Sequence, residues 1–125
     1  MNEVLKKKIL IIDNDPGDIL WFKKIINSHY VIIEPQDGLN ALEMVKNEQP
    51  DLVLLDAMMP KIHGYSICTH LKSNPDTKDI QVVLVASLGK KINKKIIEEM
   101  GTAAGYLVKP VTPYQLLSTI SRLLE

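Results

Sequence analysis

The stretch Asp51-Leu52-Val53-Leu54-Leu55-Asp56 lies between Pro50 and Pro60. A short, nearly all-apolar run with turn formers on either side reads as a strand buried on both faces of a parallel sheet. Its last residue, Asp56, emerges where such a sheet opens to solvent, the edge at which open α/β sheets bind their ligands. A carboxylate there, with an unperturbed pKa near ~3.9, is ionised at neutral pH and suits either a metal ligand or a nucleophile.

Along the whole chain, strand-like runs alternate with helical patterns five times. The predicted strands are Lys8 to Ile12, Tyr30 to Glu34, Leu52 to Asp56, Val82 to Ala86 and Gly105 to Val108. Between and after them, helical spacing links Ile19, Phe22 and Ile26; Leu39, Leu42 and Val45; Ile67 and Leu71; Ile92, Ile96 and Met100; and Leu116, Ile120 and Leu123. Asp15-Pro16 and Thr112-Pro113 each supply an N-cap followed by proline at the first helical position. The alternation predicts a (βα)5 chain: a five-stranded parallel sheet, doubly wound, with helices on both faces.

The bulk numbers fit one domain over residues 1–125, because 125 residues at 46% apolar content can bury a sizeable core. Fifteen basic and fifteen acidic residues cancel, which argues against a nucleic-acid or membrane surface held by net charge. Lys6-Lys7-Lys8 leads into Ile9 to Ile12 without a signal-peptide pattern, so a cytoplasmic protein is expected. The lone Cys68 excludes an internal disulfide and a cysteine zinc cage, and its helical setting suggests core packing.

The first strand ends in Asp13-Asn14-Asp15, and in a parallel sheet these side chains leave the same edge as Asp56. Acidic groups gathered there repel one another, and a hard divalent cation held by oxygens, magnesium above all, offsets that. The plainer alternative is that Asp13 and Asp15 only cap the first helix; Asp15 is expected to cap in either case. The fifth strand ends in Lys109-Pro110 at the same edge, with an X-Pro bond suited to the cis form. Lys109 facing a carboxylate can be a simple ion pair. An ammonium beside an aspartate and a metal is also what an incoming phosphoryl group requires, since its oxygens carry the charge to be neutralised.

At this point the chain resembles the receiver domain of two-component response regulators. The likeness rests on Ile9-Leu10-Ile11-Ile12-Asp13, Asp37-Gly38-Leu39-Asn40-Ala41-Leu42, Pro50 to Asp56 with Met59-Pro60 and Gly64, and Tyr106-Leu107-Val108-Lys109-Pro110. In this order and spacing the motifs are highly specific, and they cover nearly the whole chain. The resemblance implies a flavodoxin-like fold in which Asp56 takes a phosphoryl group from a phosphohistidine on a sensor histidine kinase or a histidine phosphotransfer protein. It implies Mg2+ held by the acidic pair, by Asp56 and by the backbone carbonyl of Met58, with Lys109 on the phosphoryl oxygens. It further implies a switch aromatic at Tyr106 and an output surface, for a protein partner, built from the fourth helix, fifth strand and last helix. No nucleic-acid or membrane partner is expected.

Three positions depart from the family pattern. The acidic pair falls on Asp13 and Asn14, so an amide stands where a carboxylate usually ligates the metal. One charge pair at roughly 4 Å and an effective dielectric near 20 is worth about 4 kcal/mol before desolvation, so a net loss of about 1 to 2 kcal/mol in magnesium binding is expected. The switch hydroxyl falls on Ala86 counting 30 residues forward from Asp56, and on Ser87 counting 22 back from Lys109. An extra residue in Gly101-Thr102-Ala103-Ala104-Gly105 weights the count toward Ala86, with Ser87 as a neighbouring substitute. Third, His63 stands where many members carry Asp, and no role is assigned to it. Lys90, Lys91, Lys94 and Lys95 form either a solvated face or a docking patch for an acidic partner.

Three other functions are open to these residues. Asn14 and a missing hydroxyl would suit a receiver-like interaction module that is never phosphorylated. A haloacid-dehalogenase-like phosphatase also uses a strand-end Asp and a lysine, but wants an acid two residues later, where Met58 stands. Flavodoxin-like FMN binding needs a phosphate cradle, and Asp13-Asn14-Asp15-Pro16-Gly17 is acidic instead. Apart from these, the reading is of a non-enzymatic switch.

Overall fold

The computed structural model describes residues 6–34, 41–57, 64–87 and 103–125. Five strands run in one sheet: β1 (Lys8–Ile12), β2 (Val31–Ile33), β3 (Leu52–Asp56), β4 (Gln81–Ser87) and β5 (Gly105–Lys109). All neighbours are parallel and the order is β2-β1-β3-β4-β5, the flavodoxin-like order. The described helices are α1 (Pro16–Ile26), α2 (Ala41–Glu48), α3 (Gly64–Ser73) and α4 (Pro113–Leu124). The helical pattern of Ile92, Ile96 and Met100 lies outside the described residues, as do Met58, His63 and the lysines at 90, 91, 94 and 95.

Each strand of the sheet's middle sends alternate residues to opposite faces, as the pleat requires. On one face Leu10, Ile12, Val53, Leu55, Val82 and Leu84 pack with Val45 of α2 and Ile67, Cys68 and Leu71 of α3. On the other, Ile9, Ile11, Leu52, Leu54, Val83, Val85 and Leu107 pack with Phe22 and Ile26 of α1 and Leu116 and Ile120 of α4. Every residue of β3 is buried, the expected state of a central strand covered on both sides. At about 1.5 to 3 kcal/mol for each fully buried large aliphatic side chain, this strand is a major source of the fold's stability. Cys68 is wholly buried in the α2/α3 layer, as its helical spacing suggested.

The caps act as expected. Asp15 is the N-cap of α1 and accepts a hydrogen bond from Gly17 N at 2.9 Å, with Pro16 opening the helix. Thr112 caps α4 in a reciprocal box: its hydroxyl accepts from Gln115 N at 3.1 Å, and the Gln115 side chain accepts from Thr112 N at 3.0 Å. Among the described residues, differences from the sequence reading fall at strand ends; Leu39, which opens the second helical pattern, lies outside the described residues. β2 is shorter than Tyr30 to Glu34, since its edge position leaves it paired on one side only. β4 is longer by one residue at each end, Gln81 pairing with Leu52 and Ser87 with Lys109, and β5 runs one residue further, through Lys109.

Candidate functional site

The register brings four strand ends together. Ile12 is level with Leu55, so Asp13 and Asp56, one residue on, leave the sheet side by side. Asp56 is level with Val85, and Ser87 with Lys109. Alternation then fixes the face. Ile11, Leu54, Val85 and Leu107 all point toward α1 and α4, so Asp13, Asp56, Ser87 and Lys109, each two residues further, share that side of the sheet. Ala86 falls on the opposite face and is wholly buried. The face occupied by Lys109 is shared by Ser87.

Among the described residues, the polar residues that are buried as whole residues are Asp56 and Thr77. Thr77 has an ordinary structural explanation, since its hydroxyl donates to Leu71 O at 2.7 Å. Asp56 instead lies beside a cation: Lys109 Nζ is 3.8 Å from its Oδ2. The same ammonium donates to Asp13 Oδ2 at 3.1 Å and to Asp18 Oδ2 at 2.5 Å. Three carboxylates therefore share one ammonium. The peptide Lys109-Pro110 is cis, as its sequence suggested.

Electrostatics follow from this crowding. Burial pushes the Asp13 carboxyl above its ordinary value; the backbone N–H of Asp15 opposes this, the charge of Asp56 adds to it, and Lys109 opposes it. Burial alone would lower the Lys109 pKa, but the hydrogen bond to Asp18 and the charges of Asp13 and Asp56 outweigh it and leave the ammonium more basic than usual. Asp13 also accepts from Asp15 N at 2.9 Å, so it braces the loop and faces the site at once; capping alone does not describe it. Asp15 turns to its cap and is exposed, and Asn14 is exposed in the same loop.

Two carboxylate side chains buried side by side, Asp13 and Asp56, are a donor set suited to a hard divalent cation. Magnesium commonly keeps several waters and takes only one or two carboxylates. Among the described residues no cluster of three or more His, Cys, Asp or Glu is arranged to hold a metal.

Asp18 was missed by sequence reasoning. It lies in the first turn of α1, where an acid is expected simply to complement the helix dipole. Nothing local marks it as the partner of a lysine 91 residues away. Beside the pair opens a cavity of about 360 Å³ lined by Asp18, Trp21, Phe22, Lys109, Pro110 and Val111. Tyr106 lies on β5 and is 57% exposed.

The family model for the response regulator receiver domain matches residues 9–121. The chain belongs to the response regulator receiver domain family. It is 34% identical over 120 residues to the DNA-binding dual master transcriptional regulator RpaA of Synechocystis, covering 94% of this chain and 49% of that protein. The signal receiver domain of a Syntrophus aciditrophicus signal transduction histidine kinase superposes with a TM-score of 0.82 at 28% identity, covering 94% of this chain and 89% of that one. A receiver domain from a Pseudomonas aeruginosa sensor histidine kinase, described with magnesium coordinated in its active-site cleft, shares the fold at a TM-score of 0.83 and 18% identity, covering 94% and 97%. This receiver spans between about a quarter and half the length of the curated relatives it matches. Receiver domains are regulatory signalling modules that act with histidine kinases and output domains. Relatives named as DNA-binding regulators lend no support to the expectation that nucleic acid is excluded from its setting. No helix among the described residues is long and apolar enough to cross a membrane.

Proposed function

We propose that residues 1–125 form one receiver domain that works as a phosphoryl-accepting switch rather than as a turnover enzyme, in a cytoplasmic two-component phosphorelay. The observation that carries this is the placement of a buried Asp56 carboxylate 3.8 Å from the Lys109 ammonium, with Asp13 alongside. An Asp56 carboxylate oxygen attacks the phosphorus of a phosphohistidine on a sensor kinase or phosphotransfer protein. The phosphorus–nitrogen bond breaks, and the imidazole leaves with the electron pair. Lys109 then donates to the phosphoryl oxygens, as an ammonium suits a centre whose charge lies on its periphery.

Asp13, Asp56, the side-chain oxygen of Asn14 and the Met58 carbonyl would hold magnesium. When bound, magnesium would neutralise charge on the phosphoryl oxygens. Ser87, on the face of Lys109, is our choice for the hydroxyl that senses the phosphoryl group, in preference to Ala86. Tyr106, exposed on β5, would respond to a shift after β4, changing the surface offered to an output protein.

Treatment with acetyl phosphate and magnesium tests the proposal. Intact-mass analysis should detect one added phosphoryl group on the parent protein and none on Asp56→Asn. The alternative of an interaction module that is never phosphorylated draws on Asn14, and predicts no added mass in either protein.

A further inference from the structure

Lys109 is held away from the acceptor by a carboxylate that the phosphoryl-transfer chemistry does not require. Its Nζ lies 2.5 Å from Asp18 Oδ2 and 3.8 Å from Asp56 Oδ2. Asp18 is fixed in place from below: Asp15 caps α1 and Pro16 starts it, so the first turn, with Asp18 in it, has a set direction. Phe22, one turn further along α1, is anchored in the core. The lysine has the opposite character. Its four-carbon stem can swing, and the space of about 360 Å³ beside the pair leaves it room to do so.

We propose that Asp18 is a positioning residue that holds the Lys109 ammonium in the resting receiver, and that phosphorylation of Asp56 draws this ammonium from Asp18 to the phosphoryl oxygens. The inference rests on the phosphoryl-accepting reading above. At rest, Asp13, Asp18 and Asp56 each offer a carboxylate, and the ammonium settles nearest Asp18. A phosphoryl group on Asp56 replaces a single charge by nearly two and adds acceptor oxygens, so the balance tips toward the acceptor. Asp18 thereby sets a threshold: the ion pair it gives up is subtracted from the free energy that phosphorylation makes available for switching. The pair is 17% exposed on the lysine side and 36% on the aspartate side, so the opposing contribution is modest and surmountable.

The experiment compares the parent with Asp18→Asn, Asp18→Glu and Asp15→Asn. Asp15→Asn removes a unit charge from the same loop while keeping a good N-cap, and Asp15 does not contact Lys109 in the way Asp18 does. Without ligand, nitrogen-15 NMR of the lysine ammonium groups should show the Lys109 signal altered in Asp18→Asn and close to the parent in the other two. At saturating magnesium, beryllofluoride, which mimics the phosphoryl group, should bind Asp18→Asn about three- to tenfold more tightly than the parent. Asp18→Glu and Asp15→Asn should stay within about twofold.

An unchanged Lys109 signal in Asp18→Asn, or equal tightening in Asp15→Asn, overturns the proposal. A role for Asp18 limited to the helix dipole would move thermal stability and leave the Lys109 signal alone. Failure of the underlying reading looks different: beryllofluoride then binds none of the four proteins, and the exchange proposed for Lys109 falls with it.

Discussion

The Lys109 ammonium lies 3.8 Å from Asp56 Oδ2, inside ion-pair range but beyond hydrogen-bonding distance. That interval exists because Asp13 and Asp18 compete for the same cation at 3.1 and 2.5 Å. Removing Lys109 should therefore expose repulsion among three carboxylates. We predict that Lys109→Met lowers unfolding stability by about 1 to 2 kcal/mol, less than for a fully buried pair because Asp18 is 36% exposed. Urea unfolding with and without magnesium checks this. The deficit should shrink when magnesium is added, since a cation then returns to the carboxylates; an undiminished deficit would count against magnesium binding there.

Asn14 removes one negative charge from the loop that follows β1. Asn14→Asp should tighten magnesium binding by about 1 to 2 kcal/mol, roughly five- to thirtyfold. Trp21 is the chain's sole tryptophan and lines the cavity beside Lys109, so its fluorescence offers the titration signal. Equal affinities in the two proteins would remove Asn14 from the metal site.

Ser87 and Ala86 are adjacent in sequence and opposed across the sheet. Ser87→Ala should weaken the response to beryllofluoride, by up to about 1.5 to 3 kcal/mol for a hydrogen bond to a charged acceptor. Ala86→Ser should instead cost stability, because it places a hydroxyl in a wholly buried position. Comparing beryllofluoride affinity and urea midpoints separates the two outcomes. A ligand response that depends on position 86 and not on 87 would reverse the assignment.

The Tyr30 hydroxyl, just before β2, donates a 2.8 Å hydrogen bond to Glu125 Oε2, just after α4. Burial first, then that bond and the charge of Glu125, push the Tyr30 phenol up to about 12 from its ordinary 10.0. A folded-state value above the unfolded one means the contribution is fully present below pH 10.0 and is lost as pH rises toward about 12. Tyr30→Phe should lower neutral-pH stability by about 1 kcal/mol and flatten this alkaline loss. Thermal unfolding of both proteins across that window is the check.

Much of this architecture was legible in the residues. The apolar run from Leu52 to Leu55, its terminal Asp56 and the two capped prolines mark the strands and helices because their signals are local. The convergence of Asp13, Asp56 and Lys109 on one edge follows from parallel topology alone. Asp18 escaped notice because its significance depends on a partner 91 residues away. The choice between Ala86 and Ser87 was likewise beyond a count of spacings. Register and pleat decide which face a residue occupies, and a shift of one residue reverses the face.

If Asp56 becomes an acyl phosphate, chemical trapping will reveal it. After exposure to acetyl phosphate and magnesium, borohydride reduction followed by peptide mass mapping should find Asp56 converted to homoserine, with no conversion when either reagent is omitted. Homoserine at Asp13 or Asp18 instead, or at no aspartate in a folded protein, would mean that Asp56 is not the acceptor.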